Sequence, residues 1–294
     1  MWVLKALIKN PLSLTGLSIL LFFIVIAIAA PWLAPPQPGF SPYEIPRAGF
    51  GITPKPPSRE HPFGTTQGQY DIYYGVIWGT RTAFIAGFIV TGSCALLGVI
   101  VGGVAAYCGG FIDEILMRIV DIFLAFPFLV AALAVASLLG RGLVQSMVAM
   151  ITFGWMPYAR LIRSEILSVR ERTFVEAARA IGASSQRIFW KHILPNSIYP
   201  VLVMASMDMG SMVLWLSSLS FLGVGSPPGY ADWGQLISYC RDWIAGGQGM
   251  FFRYWFTLVF PGGALFLFVL SFNLLGDALR DILDPRLRGK RNGN

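Results

Sequence analysis

Charge is scarce in this sequence. Of 294 residues only 13% are charged, while 55% are hydrophobic and the mean hydropathy is +0.63. A soluble domain carries about a quarter charged residues, so an ordinary globular protein is excluded and a polytopic membrane protein fits. Histidine is nearly missing: His61 and His192 are the whole supply. That leaves no acid–base–nucleophile set for a membrane enzyme. Cysteine is sparse and odd in number (Cys94, Cys108, Cys240), with two in one apolar stretch and none at metal-ligand spacing. Neither a disulfide framework nor a zinc site is indicated, and no metal site is expected. No Gly-x-x-x-x-Gly-Lys-Ser/Thr phosphate loop occurs, so any ATP and magnesium that drive the protein bind another subunit and no cofactor is expected in this chain. The net charge of +7 does not imply nucleic acid, because the basic residues fall between apolar blocks.

Those blocks set the organisation. Apolar spans are expected at 12–33, 83–107, 115–139, 142–162, 198–223 and 255–276, each long enough to cross a bilayer. The competing reading of the first is a signal peptide, with Ala27-Ile28-Ala29 as a cleavage site, but the apolar run exceeds a usual leader core and is read as a retained span. Residues 34–80, rich in proline and glycine, read as an extracytoplasmic loop with extended segments. Lysine and arginine then fix the orientation. With the N-terminus inside, the inner segments hold fifteen and the outer ones seven, which places both termini in the cytoplasm. Pro127, Pro157 and Pro261 interrupt spans, as is tolerated where freed backbone groups are buried in protein or face a cavity. Gly98 and Gly102 form a small-xxx-small pair, read as close packing within the chain rather than a dimer seam.

The longest inner polar interval is 172–196, RTFVEAARAIGASSQRIFWKHILPN. Thr173 and Glu176 have the spacing of a capping box. The helix they would start puts Phe174, Ala177, Ala178 and Ile181 on one side, with Arg172, Glu176 and Arg179 on the other. Gly182 can end it at a left-handed position, and Ser184 can cap a second helix running into Pro195. Such a helix could rest on lipid headgroups. Its alanine-rich side anchors poorly in lipid but admits close approach, so docking of a soluble partner is the favoured reading.

Charges inside apolar blocks need partners. Glu114, Arg118 and Asp121, beside Asp113, fall at i, i+4 and i+7 and are expected to form a self-neutralising ladder rather than a gate. Asp208 stands mid-span with no basic residue in helical reach. It is expected either to face the central pathway or to pair with a neighbouring helix or partner chain.

The run Glu176-Ala177-Ala178, three residues, Gly182, and a segment ending Leu194-Pro195 resembles the EAA loop of ABC-importer permeases. His192-Ile193-Leu194-Pro195-Asn196, with histidine in place of the general isoleucine, is similar to the branch importing di- and oligopeptides and nickel. GGFIDEILMRIVDIFLAFPFL (109–129), LSFLGVGSPP (219–228) with Trp233-Gly234, FNLLGDALRDILDPRLR (272–288), and HPFGT (61–65) with Asp71, Gly79 and Arg81 resemble that branch too. The resemblance spans about 59–288. It implies an all-α membrane protein of six transmembrane helices: a type I importer (MetI-like) permease core with an extra N-terminal span and a cytoplasmic coupling helix. The division is a cytoplasmic N-terminus and first span (1–33), the loop (34–80), the core (81–276, coupling loop 172–195) and a cytoplasmic tail (277–294).

Implied partners are a second homologous permease, two cytoplasmic ATPases and an extracytoplasmic binding protein, in the inner membrane of a prokaryote, surrounded by lipid and with no nucleic acid. The resemblance assigns ATPase coupling to Arg172, Thr173, Glu176, Ala177, Ala178, Arg179, Ile181 and Gly182, and makes the protein a transport subunit rather than an enzyme. Two departures stand out. The branch usually has an acidic residue where this chain has Thr66, and Gly-Arg where it has Gln69-Tyr70. A common glutamate is replaced by Leu216, while Asp208 occupies a position usually small. Peptides are the expected cargo; nickel or oligosaccharide cargo, or a secondary transporter, are the alternatives.

Overall fold

A computed structural model describes residues 10–245 and 253–283. The basic residues before position 10 and the tail beyond 283, including the end of the 272–288 motif, lie outside the described residues. Helices account for nearly all regular structure: α1 (Pro11–Leu33), α2 (Ile72–Cys108), α3 (Gly110–Leu124), α4 (Phe128–Leu139), α5 (Leu143–Gly154), α6 (Met156–Arg170), α7 (Thr173–Ala180), α8 (Ser185–Ile188), a π-helical turn (Phe189–Ile193), α9 (Leu194–Ser197), α10 (Tyr199–Phe221), α11 (Trp233–Ser238), α12 (Arg241–Ala245) and α13 (Phe256–Leu283). Four of these, α1, α2, α10 and α13, are long and apolar enough to cross a membrane; a fifth span results if the bent pair α3–α4 counts as one.

The long apolar runs do not all become straight spans. The 115–139 stretch turns through 88° between α3 and α4. Pro127 has no N–H to continue the ladder and disfavours a helical conformation at Phe126, so one helix stops at Leu124 and another begins at Phe128. The 142–162 stretch is likewise two helices, broken at Trp155 just before Pro157, and the second continues to Arg170. The proline-rich loop is shorter than its composition suggests: α2 begins at Ile72, where the Asp71 carboxylate accepts the Tyr74 amide at 3.0 Å. At 37 residues, α2 is about 55 Å long.

α2 is the axis of the body, packed against α6, α10, α5 and α1, while α13 lies against α10 and α1. Its contact with α6 needs glycine. A Cβ on Gly98 would lie 2.3 Å from the Tyr158 Cβ, and one on Gly102 would lie 2.1 Å from the Ala159 carbonyl oxygen. The small pair is thus a seam within the chain, as its sequence reading had it.

Two apolar clusters divide the body. One joins the later part of α2 to α4, α5, α6, the length of α10 and the 175–193 stretch, through residues such as Met150, Ile162, Val175, Phe189, Val201 and Leu216. The other joins α1, the first part of α2, α11 and α13 around Phe23, Trp78, Trp233 and Phe268, with the Phe268 ring edge to face against Phe23 and Trp233. α1 therefore packs into the bundle through Phe23 and Ala30. Loop 34–71 folds over this second cluster, with three isolated antiparallel bridges (Glu44–Tyr230, Arg47–Tyr70, Thr65–Asp71).

Candidate functional site

Three places draw the chemically distinctive residues together. The first lies where the two helix breaks meet. Asp208, mid-way along α10, accepts a hydrogen bond from the Tyr158 hydroxyl at 2.7 Å. Tyr158 reaches it because Gly98 lets α6 come so close to α2. The other carboxylate oxygen has no hydrogen bond, and Asp208 has no ion pair, among the described residues. Asp208 lines a cavity of about 200 Å³ whose other walls include Phe126, Phe128, Phe153, Met204, Met212 and Trp215. The bend at 125–127 and the break at Trp155 open this space, and Pro157 and Gly154 border it. Of the three prolines expected to interrupt spans, Pro157 lines this cavity, whereas Pro261 lies inside the continuous helix α13 and breaks nothing. Tyr158 was not singled out by the sequence. Its spacing from Gly98 in the fold, not in the chain, is what makes it a partner.

The expected ladder on α3 dissolves into pairs between helices. Arg118 lies 3.9 Å from Glu114, both highly exposed, but Asp121 pairs with Arg160 of α6. Asp113 takes a two-pronged pair from Arg163, at 2.5 and 2.6 Å. Helical spacing found the acids but not their partners, because α6 crosses α3 and brings better-placed guanidinium groups.

The second place is 172–196. α7 starts at Thr173 with Arg172 as N-cap and no side-chain cap, so the capping box does not form: Thr173 sits one position too far inside the helix. The C-terminal reading holds. Gly182 has φ +82°, its amide donates to Arg179 (2.9 Å) and the Ala183 amide to Ala178 (3.2 Å), the two bonds of a Schellman stop. Ser184 then accepts from the Arg187 amide at 3.4 Å.

The expected facing needs correction. Val175 and Ala178 are the buried residues of α7, whereas Phe174, Ala177 and Ile181 are exposed, Ile181 at 86%. Val175 was not on the stripe read from the sequence, which ran through Phe174, Ala177, Ala178 and Ile181; the buried face is turned by one position to Val175 and Ala178. Arg172, Glu176 and Arg179 are exposed as expected. Toward Pro195 the helix widens into a π turn, where the Leu194 amide bonds the Phe189 carbonyl. Proline supplies no amide for the i−4 bond to the Lys191 carbonyl, and one residue on the Asn196 side-chain amide donates to the His192 carbonyl at 2.6 Å. Phe189 packs edge to face on Tyr107 at the end of α2, fixing the whole segment to that helix.

The third place is the knot beneath the loop. Asp232 is buried and accepts from the Ser220 hydroxyl, the Ser226 hydroxyl (2.9 Å) and the Gly234 amide (3.0 Å). Burial pushes its carboxyl above the ordinary range, and the three donors pull it partly back. The Trp233 indole donates to the Val76 carbonyl at 3.1 Å and lies where a Cβ on Gly79 would be, 2.7 Å away. His61 Nδ1 meets Asp71 at 2.6 Å, and Arg81 donates to the Ala27 carbonyl. The motif residues at 61–81 and 219–234 are therefore the joints of one interlocked cap. Gln69 keeps φ +63° where glycine was expected, its side chain donating to the Thr53 carbonyl at 2.5 Å.

A body with several helices apolar enough to cross a membrane and a cavity between broken helices that holds one carboxylate fit a membrane transport subunit. The comparisons identify its kind. Residues 95–289 match the family of binding-protein-dependent transport system inner membrane components, and residues 1–49 match the N-terminal transmembrane domain of oligopeptide transport permease C.

The dipeptide transport system permease protein DppC of Alkalihalophilus pseudofirmus is 37% identical over 284 residues, 97% of this chain and 89% of that protein. The probable D,D-dipeptide transport system permease protein DdpC of Escherichia coli K12 is 35% identical over 293 residues, 99% and 92%. The glutathione transport system permease protein GsiD of Escherichia coli O6:K15:H31 is 35% identical over 283 residues, 96% and 88%.

Among solved structures, the inward-facing MetNI methionine ABC transporter aligns with TM-score 0.52 and 18% identity, over 70% of this chain and 96% of that one. An amino acid ABC transporter solved with histidines aligns at 0.51 and 19%, over 71% and 94%. These two concern the fold alone, which is that of a MetI-like importer permease.

The chain belongs to the family of binding-protein-dependent transport system inner membrane components. It is a permease subunit of an ABC importer and a multi-pass inner membrane protein of bacteria. It is not itself an enzyme: ATP binds the ATPase partners, and such a subunit carries no cofactor.

Proposed function

We propose that this chain forms one half of the translocation pathway of an importer of di- or oligopeptides, delivered by an extracytoplasmic binding protein. The cargo class rests on the printed substrates of relatives matching nearly the whole chain. The pathway is completed by a second, homologous permease, and two ATPases drive it. In this reading α5 and α6 together make a sixth span, both termini are cytoplasmic, the 34–71 loop faces outward and α7 faces inward.

The observation that carries the coupling role is the form of α7. Val175 and Ala178 clamp it to the body, the Schellman turn at Gly182 stops it, and Phe174, Ala177 and Ile181 present an apolar ridge flanked by Arg172, Glu176 and Arg179. A helix held so firmly on one side transmits a push on the other, and Phe189 against Tyr107 carries the push to α2. Thr173, exposed at the first helical position, belongs to the contact surface rather than to a cap. Asp208 faces the pathway through its cavity.

The test is to purify the chain with the products of its neighbouring genes and measure ATP hydrolysis with and without the binding protein. Stimulation by a binding protein loaded with dipeptide is expected. A binding protein that holds nickel or an oligosaccharide refutes the cargo class, and an active transporter made of this chain alone refutes the importer reading.

A further inference from the structure

We infer that the Asp208 cavity is a subsite for the protonated amino group of the cargo, a primary ammonium flanked by apolar side chains. The inference rests on the importer reading above and adds a residue that selects among cargoes inside the membrane.

The argument starts from what surrounds the carboxylate. Among the described residues Asp208 is the one acidic residue lining the cavity, and no lysine, arginine or histidine of them lines it. The Tyr158 hydroxyl takes one oxygen, Oδ2, and fixes the carboxylate plane. Oδ1 has no hydrogen bond among the described residues and belongs to a group half-buried at the cavity wall. Tyr158 is a neutral donor, so no guanidinium or ammonium of the described residues occupies the place of a visiting cation at this carboxylate.

The rest of the wall suits the same visitor. Phe126, Phe128, Phe153 and Trp215 offer ring faces and edges, with Phe128 and Trp215 edge to face at 5.6 Å. Aromatic faces attract ammonium groups. Met204 and Met212 add flexible thioethers that adapt to side chains of varied shape. Among the described residues an anionic group finds no cationic side chain there: the Tyr158 hydroxyl hydrogen is already given to Asp208, and the Trp215 indole N–H is the one neutral side-chain donor on the wall. The size agrees as well: about 200 Å³ admits an amino terminus and a small side chain, not a whole oligopeptide. The site therefore holds one end of a cargo while the remainder lies in the pathway beyond.

The test uses the assembled importer, this chain with its partner permease and ATPases in phosphatidylethanolamine–phosphatidylglycerol nanodiscs, without binding protein. Radiolabelled dialanine and N-acetyl-dialanine are compared by equilibrium dialysis at pH 7. Dialanine is expected to bind saturably and at least tenfold more tightly than its acetylated form. Asp208→Asn should remove that preference by weakening dialanine alone, and Tyr158→Phe should weaken it two- to threefold. Equal binding of the two probes, no saturable dialanine binding, or an unchanged preference in Asp208→Asn overturns the proposal.

A competition on the unaltered protein needs no variant to fold: n-butylammonium should displace dialanine where n-butanol does not, and equal displacement overturns the proposal. Failure of the peptide reading is seen separately, as ATP hydrolysis stimulated only by a binding protein loaded with a non-peptide. The ammonium preference is then decided by direct dialysis of radiolabelled n-butylammonium and n-butanol: saturable binding of the ammonium alone is expected, and equal binding overturns the proposal.

Discussion

Asp208 and Asp232 stand on either side of the end of α10, and the chain treats them in opposite ways. Around Asp232 every joint is closed from within: two serine hydroxyls and an amide on the carboxylate, an indole on a carbonyl, rings interleaved from α1, α2 and α13. Around Asp208 the chain supplies one tyrosine and then leaves space. The 172–196 segment resembles the second case, since Val175 and Ala178 close its inner side while Phe174 and Ile181 stay uncovered. Satisfaction from within marks a scaffold. Groups left open on an otherwise well-packed body mark where another molecule completes the structure.

The contrast breaks most visibly at the closed end. Asp232→Ala should leave buried hydroxyl and amide donors without an acceptor and cost about 3 kcal/mol, read as a lower melting temperature of the detergent-purified complex and a loss of yield. Asp208→Asn, made for comparison, should leave that temperature nearly unchanged. A second cut separates the two faces of α7. Val175→Ala removes two buried carbon atoms, at about 2 kcal/mol, and should lower thermal stability. Ile181→Ser should not lower it, yet should reduce ATPase co-purification and binding-protein-stimulated hydrolysis severalfold. If the two substitutions affect stability alike, the division of α7 into clamp and ridge is wrong. Position 178 belongs to the clamp, so a bulky residue there tests packing; Ala177→Trp is the fitting probe of docking.

Much of this contrast was legible in the sequence. Glycine before a polar gap foretold the Schellman stop at Gly182 because no other residue takes φ near +80° without cost. An uncompensated aspartate in an apolar run foretold a special environment at Asp208. Proline foretold the breaks near Pro127 and Pro157 but not their angle, and it misled at Pro261, which lies inside the continuous α13: whether a proline is absorbed or turns the chain by 88° is tertiary information. The capping box failed for a similar reason. Thr173 and Glu176 have the right spacing, but the preceding turn, where the Arg172 amide bonds the Val169 carbonyl, starts the helix one residue early for them. Asp232 escaped notice because nothing in SPPGYADWG shows that Ser220 and Ser226 will converge on it.

Smaller effects sharpen the same comparison on α3. The Asp113–Arg163 pair is two-pronged and only partly exposed, so Arg163→Gln should cost about 1–2 kcal/mol and loosen α3 from α6. Hydrogen exchange at the α3 amides would report that loosening.

Arg118 should do least. Its guanidinium reaches Glu114 at 3.9 Å with both side chains about 70% exposed, and in that setting an i, i+4 pair contributes about 0.5 kcal/mol or less. Arg118→Ala should therefore leave stability and hydrolysis within error, and adding salt should change nothing further. That outcome separates two accounts of the acidic run at 113–121. As a self-contained ladder, its central arginine would be the costliest to lose. As a set of pairs reaching across to α6, its centre is dispensable, and the α6 guanidinium at position 163 carries the joint.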